Sequence, residues 1–254
     1  ISKNYDTNLL VDKNDVIVAE ADEFDRSFLQ LFPEIAVITS MDADHLDIYG
    51  DKSHIVEAFK AFASQVSGTI ITKYGLEISQ EDTKAKVLRY AYDEARADFH
   101  ASYIKVDECG YFTFNLNYPG GVIEGCKVGI PGWVNVENAT AASAIALTYG
   151  IAPDKIKKAL ASFSGVKRRF DIQVKEHGKV YIDDYAHHPS EIAATIDAAR
   201  QQYPAKKIIA VFQPHTFSRT VALMDDFAKS LDLADKVYLT EIFSSIREHD
   251  GKIS

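Results

Sequence analysis

The sequence predicts an α/β protein in two parts, each a sheet covered by helices. Three features predict it. Short apolar runs alternate with segments of helical period. A block rich in β-formers, Tyr90 to Val128, reads as an antiparallel β insert. Beyond Asp171, strand and helix signals alternate again, as in a parallel, doubly wound sheet.

Taken in order, the runs Val16–Ala19 and Ile35–Thr39 read as buried strands. The first leads into Glu20, Asp22, Glu23 and Asp25, the second into Asp42, Asp44, His45 and Asp47. In open α/β sheets, ligands bind beyond the carboxyl ends of strands. If the two strands are neighbours, Glu20 and His45 share a rim, where a carboxylate and an imidazole can hold a divalent cation. A hard cation such as Mg²⁺ also takes oxygens from a bound phosphate. Asp22, Asp25 and Asp42 read equally well as helix caps.

Ile55, Ala58, Phe59 and Phe62 recur at helical spacing within Asp51–Ser64, and Gly68–Lys73 reads as a strand. In the β-rich block, Ser102–Val106, Tyr111–Leu116 and Val122–Val128 are strands, with turn residues at Asn117–Gly121. Asn135–Gly150 is an alanine-rich helix stopped by Gly150, and Pro153–Phe163 a second helix. A domain boundary falls at Phe170–Val174, giving parts 1–172 and 173–254. A hairpin follows, Asp171–Lys175 and Val180–Asp184, turning at His177-Gly178. Then come a helix at Pro189–Gln202, a strand at Lys207–Phe212, a helix at Thr220–Leu231 and a strand at Lys236–Leu239.

The composition is that of a soluble globular protein, 46% hydrophobic and 26% charged. A net charge of −9 argues against a nucleic-acid binder, and no apolar run has membrane-spanning length. Cys109 and Cys126 make neither a metal spacing nor a disulfide framework, which points to a reducing cytoplasm. Ile1 is not an initiator methionine and the far end stops in a polar stretch, so the chain reads as part of a longer protein.

Four further clusters carry chemistry. In Pro131-Gly132-Trp133-Val134-Asn135-Val136-Glu137-Asn138, the two asparagines lie three apart on one helix face and suit a purine edge or ribose; alternatively, Asn135 is an N-cap. Lys167-Arg168-Arg169 makes a phosphate clamp or a solvated linker. Asp183-Asp184-Tyr185-Ala186-His187-His188-Pro189-Ser190-Glu191, at a strand–helix junction, is the densest polar cluster. Phe212-Gln213-Pro214-His215-Thr216-Phe217-Ser218-Arg219 follows another strand; if the two strands pair, His215 and Arg219 share a rim with His187. Gly120–Lys127 nearly matches a phosphate loop, but Cys126 separates Gly125 from the lysine and no Ser or Thr follows.

In order these motifs are EADEFD, DADHLD, PGWVNVENA, GVKRRFD, DDYAHHPSE and FQPHTFSRT. The set resembles the Mur ligases over nearly all of residues 15–245, most closely the member that joins L-alanine to UDP-N-acetylmuramate. The resemblance implies a central ATPase-type sheet domain with the antiparallel insert, then a partial Rossmann-like C-terminal domain. It also implies that a UDP-binding domain and a phosphate loop lie outside this chain. ATP, Mg²⁺, UDP-N-acetylmuramate and L-alanine are the implied cofactors and partners, and an acyl phosphate the implied intermediate.

By resemblance Glu20 and His45 match magnesium ligands, Asn135 and Asn138 the adenine and ribose contacts, and Arg169 an arginine near the ATP phosphates. Asp184, Tyr185, His187, His215 and Arg219 match positions lining the interdomain cleft. His187, Asp184 and Arg219 are the implied catalytic group, His215 joins the cofactor contacts, and Tyr185, His187 and Arg219 hold substrate. Val134 stands where that motif commonly has histidine, and Thr216 where the last often has arginine. Three rivals stand beside this reading. One is the recycling ligase that adds a preformed tripeptide. Another is a metal-dependent hydrolase using His45, His187 and His188, and the third is a binding-only module.

Overall fold

The structure is a computed structural model and describes residues 1–41 and 52–243. Its largest element is a six-stranded sheet in sequential order. Strands β1 (Ile35–Ile38), β2 (Thr69–Lys73), β3 (Lys86–Ala91) and β4 (Phe99–Val106) run parallel. Strands β5 (Phe112–Tyr118) and β6 (Gly121–Lys127) then run antiparallel. The antiparallel strands thus continue the central sheet. The join is β4, which pairs with β3 only at Tyr90–Phe99 and Ala91–His100 before running on against β5.

Sequence reading missed β3 because Lys86 and Arg89 interrupt its apolar pattern. The fold accommodates Arg89 by hydrogen-bonding its guanidinium to the Thr72 hydroxyl and the Ile78 carbonyl. The expected strand Val16–Ala19 does not form. The segment is irregular and joins no ladder, and Ile17 and Val18 are 91% and 87% exposed. Apolar side chains favour a strand only where a neighbour supplies hydrogen bonds and cover, and among the described residues β1 pairs with β2 alone. The rejected phosphate-loop match falls on the β5–β6 turn and on β6, so no helix begins there.

Helix α1 (Lys52–Gln65) buries Ile55, Ala58 and Phe62 on one side of the sheet. The short 3₁₀ helix Phe24–Gln30 packs on it, with the Phe28 ring 5.2 Å from Phe59 and 5.1 Å from Phe62. Helix α2 (Trp133–Tyr149) is alanine-rich, so its backbone lies close on the sheet, burying Val136, Thr140 and Ala144 completely. Gly150 ends it in the left-handed conformation, its N–H reaching the Ala146 and Leu147 carbonyls. Helix α3 (Pro153–Ser162) starts on proline and buries Ile156.

The second part begins with a hairpin, β7 (Asp171–Glu176) and β8 (Lys179–Asp183), forming a sheet of its own. Helix α4 (Pro189–Gln202) leads to a parallel pair, β9 (Ile209–Phe212) and β10 (Lys236–Leu239). The single helix expected at Thr220–Leu231 is two, α5 (Phe217–Ala222) and α6 (Met224–Leu231), because Leu223 leaves helical geometry between them. Ile192, Ile196, Phe212, Phe227 and Leu231 form this part's core. Among the described residues no helix is long and apolar enough to cross a membrane.

Gly129 fixes where α3 meets β6. A methyl group there would stand 2.1 Å from the Phe163 carbonyl oxygen and 3.0 Å from that of Ala161. Gly129→Ala is therefore expected to lower unfolding free energy by about 1–3 kcal/mol. Urea denaturation checks it; a midpoint equal to that of the unaltered chain would show that α3 yields freely.

Candidate active-site cleft

A cleft of about 1030 Å³ opens beyond the carboxyl ends of β1 and β2. One wall carries Glu20, Ser40, Lys73 and the first turns of α2; the other carries Arg169, Asp184, His187 and Glu191. The position follows from the parallel register. Ile38 lies opposite Thr72, so Thr39 and Ser40 leave their strand where Lys73 ends the next. The start of α2 reaches the rim because Gly132, at φ 98°, turns the chain into the helix.

Gly132, and not Asn135, occupies the N-cap position. The Asn135 side chain instead donates from Nδ2 to the Pro131 carbonyl at 2.6 Å, bracing that turn. Asn138 also lines the cleft. Between them Glu137 accepts from Lys73, Nζ to Oε2, at 2.8 Å. Sequence reading passed over Lys73; its signal was a cation ending the apolar run Thr69–Thr72.

Across the cleft Arg169 sits in a tight turn. Both its neighbours have positive φ, Arg168 at 61° and Phe170 at 44°. Such backbone costs on the order of 1–3 kcal/mol per residue and persists where surrounding bonds over-determine it. They do so here: the Arg168 N–H donates to Asp171 Oδ2 (3.1 Å) and the Phe170 N–H to Asp184 Oδ2 (2.7 Å). The Tyr185 N–H closes the turn onto the Arg168 carbonyl at 2.8 Å. The other Asp184 oxygen accepts from the Ala186 N–H at 2.8 Å. Both oxygens of Asp184 thus hold backbone, which makes it a positioning group for Arg169.

Glu191 has the matching task. Its Oε1 takes Arg169 Nη1 at 3.0 Å, and its Oε2 accepts the backbone N–H groups of His187 (2.9 Å) and His188 (3.2 Å). His188 completes the capping box of α4 with its own side chain. Burial pushes the Glu191 carboxyl up. The His187 N–H, the Arg169 hydrogen bond and their charges outweigh it, and the net position is below the ordinary value. His187 Nδ1 lies 2.9 Å from the Tyr185 carbonyl, which can only accept. Nδ1 therefore carries the proton, leaving Nε2 as the basic ring nitrogen.

The other expected site residues lie apart from the cleft lining. Tyr185 lies under the Arg168 guanidinium at 4.6 Å and edge-on to His187 at 5.3 Å. His215 stacks on Phe243 at 5.3 Å, and Arg219 sits on α5. Among the described residues the expected pairing of their strand with the His187 strand does not occur: β8 pairs with β7 and β9 with β10. His45, with Asp42, Asp44 and Asp47, lies outside the described residues. Among the described residues no group of three or more His, Cys, Asp or Glu side chains could hold a metal. Glu20 with Thr39 and Ser40 nonetheless brings oxygen donors to one rim, the chemistry a hard cation takes.

The chain matches two family descriptions: "Mur ligase middle domain" over residues 4–146 and "Mur ligase, glutamate ligase domain" over 168–252. It is 46% identical over 245 residues to a UDP-N-acetylmuramate–L-alanine ligase of Christiangramia forsetii, covering 96% of this chain and 52% of the relative. It is 48% identical over 238 residues to the ligase of that name from Ligilactobacillus salivarius, covering 93% and 53%. The crystal structure of UDP-N-acetylmuramate–alanine ligase MurC from Thermotoga maritima is similar at a TM-score of 0.67 and 27% identity, over 86% of this chain and 48% of that one. The chain thus spans about half the length of the curated relatives it matches.

The Glu191 and Asp171 carboxyls lie below their ordinary values, Asp171 chiefly through its hydrogen bond to Lys3. Depressed carboxyls contribute stability above their ordinary titration range and lose it as pH falls through the folded values. Acid unfolding is expected to begin below pH 4.5, the ordinary glutamate value. Glu191→Gln should cost about 1–2 kcal/mol at pH 7 and flatten the acid limb. Thermal unfolding from pH 7 to 3 tests this; an unchanged acid limb would remove Glu191 from the account.

Proposed function

The chain belongs to the Mur ligase family, and from that premise we propose that it forms the ATP-handling part of a UDP-N-acetylmuramate–L-alanine ligase acting in peptidoglycan precursor synthesis in the cytoplasm. One observation supports this above the rest. Motifs from both matched regions, Glu20, Asn135 and Asn138 from the first and Arg169 and His187 from the second, line a single cleft. The second matched region begins at residue 168, in the turn that presents Arg169.

In this reading Asn135 and Asn138 meet adenine and ribose, and Arg169 meets phosphate. Glu20, with His45 by resemblance, would hold Mg²⁺, which when bound would neutralise developing charge. The muramate carboxylate takes the γ-phosphoryl group of ATP, with ADP leaving, and the amine of L-alanine then displaces phosphate from the acyl phosphate through a tetrahedral intermediate. Both steps concentrate negative charge, so cations fixed in place serve better than a covalent nucleophile. His187 receives the amine proton at Nε2, with Nδ1 held by the Tyr185 carbonyl and the ring beside Glu191. Asp184 keeps the Arg169 turn in place. Tyr185 and Arg219 serve the amino-acid side and His215 the nucleotide, completed by closure of the second part over the cleft. The names of the relatives favour L-alanine over a preformed tripeptide.

Glu20→Gln, made in a ligase-competent polypeptide containing this chain, is expected to cut turnover about 10²-fold or more, with the loss deepest at limiting Mg²⁺. The change should leave stability within roughly 0.5 kcal/mol, since an exposed rim acid is not core. Phosphate release against Mg²⁺ concentration reads it out, and unchanged turnover at limiting Mg²⁺ overturns the metal assignment. The 254-residue chain carries no phosphate loop of its own. Given UDP-N-acetylmuramate, ATP, Mg²⁺ and L-alanine it is expected to release no phosphate; robust release would refute the family chemistry as assigned here.

A further inference from the structure

The Lys73–Glu137 pair is the cleft feature that neither motif nor mechanism has absorbed. Lys73 ends β2 on the ligand-binding rim of the parallel strands, and its side chain is 38% exposed against 12% for Glu137. The ammonium is therefore the more open end of the pair on the cleft lining, and the carboxylate the more buried one. Glu137 lies on α2 between the two asparagines, and all three line the same space.

Charge balance gives the pair its meaning. Among the described residues Glu20, Glu23, Glu137, Asp184 and Glu191 place five carboxylates on the lining, against the two full cations Lys73 and Arg169. A polyphosphate entering that field needs both cations. Lys73 donates to Glu137 Oε2, and an ammonium has three donors, so it can keep or leave the carboxylate while reaching another oxygen. Arg169 sits opposite with the same arrangement, a cation resting on Glu191. The cleft is thus flanked by two cations, each held by its own glutamate.

We infer that Lys73 is a phosphate-binding residue of the nucleotide site, contributed by the first wall opposite Arg169, with Glu137 as the counter-ion that holds it when phosphate is absent. The inference rests on the nucleotide reading of the cleft. It assigns Lys73 to the phosphate oxygens of ATP; the diphosphate of the nucleotide sugar offers the same chemistry, and the test separates them.

The pair also pins β2 to α2, so breaking it from either side separates the roles. Ligand-observed NMR on the 254-residue chain, with Mg²⁺ present, measures binding of ATP, UDP and adenosine to the unaltered protein and to Lys73→Gln, Lys73→Arg and Glu137→Gln. Melting temperatures confirm folding. Lys73→Gln is expected to weaken ATP roughly tenfold or more while leaving adenosine unchanged. Lys73→Arg should retain most of the ATP affinity. Glu137→Gln should tighten ATP binding, because it removes a competitor for the same ammonium. A purely structural pair would make the Gln variants move together, and that result overturns the inference. So does equal ATP affinity in Lys73→Gln and the unaltered protein, or a loss confined to UDP. If the unaltered protein binds adenosine and ATP alike, the cleft has no phosphate site and Lys73 loses its role. If it binds neither, the nucleotide reading itself has failed.

Discussion

The cleft depends on two carboxylates that the chain commits to its own backbone. Asp184 receives the N–H groups of Phe170 and Ala186, and Glu191 those of His187 and His188. Together they tie the strained turn before β7 to the junction between β8 and α4. Arg169 and His187 reach one space because of that tie. Neither acid has to leave its place for the chemistry to proceed. In a region where positive φ at Arg168 and Phe170 works against order, charge-assisted hydrogen bonds to backbone supply the rigidity.

The first wall is organised differently. Its residues are placed by strand register, with β1 and β2 ending side by side and α2 descending onto them through Gly132. Register is an inexpensive way to gather polar groups, because the sheet core fixes it independently of the rim. Ile70 and Ile71 are fully buried two residues and one residue before Thr72. The two walls therefore have independent supports, a packed sheet on one side and a hydrogen-bonded turn on the other.

Most elements could be read from the sequence because period and punctuation agree in them. Helix α4 and strand β10 fall where proline, capping residues and an apolar run place them. Failures came where a local pattern needed tertiary information. Val16–Ala19 is apolar enough for a strand but gains nothing without a neighbour. Arg89 hid β3 because its two acceptors, Thr72 and Ile78, are distant in sequence. Lys73 looked like the end of a strand, since only folding brings Glu137 and the asparagines beside it. His215 and Arg219 carried recognisable motifs, yet their placement depended on a strand pairing that sequence could not supply.

The same lone segment governs how the polypeptide behaves in a tube. Among the described residues strand β1 has a hydrogen-bonded neighbour on one side only, and Ile17 and Val18 in the irregular lead are exposed. An open strand edge and exposed apolar extended chain are each templates for intermolecular β-sheet. Colloidal stability then falls to electrostatic repulsion from the net charge of −9. Concentrated, high-salt solutions screen that repulsion and favour self-association, so dilute low-salt buffer is the milder condition for this chain.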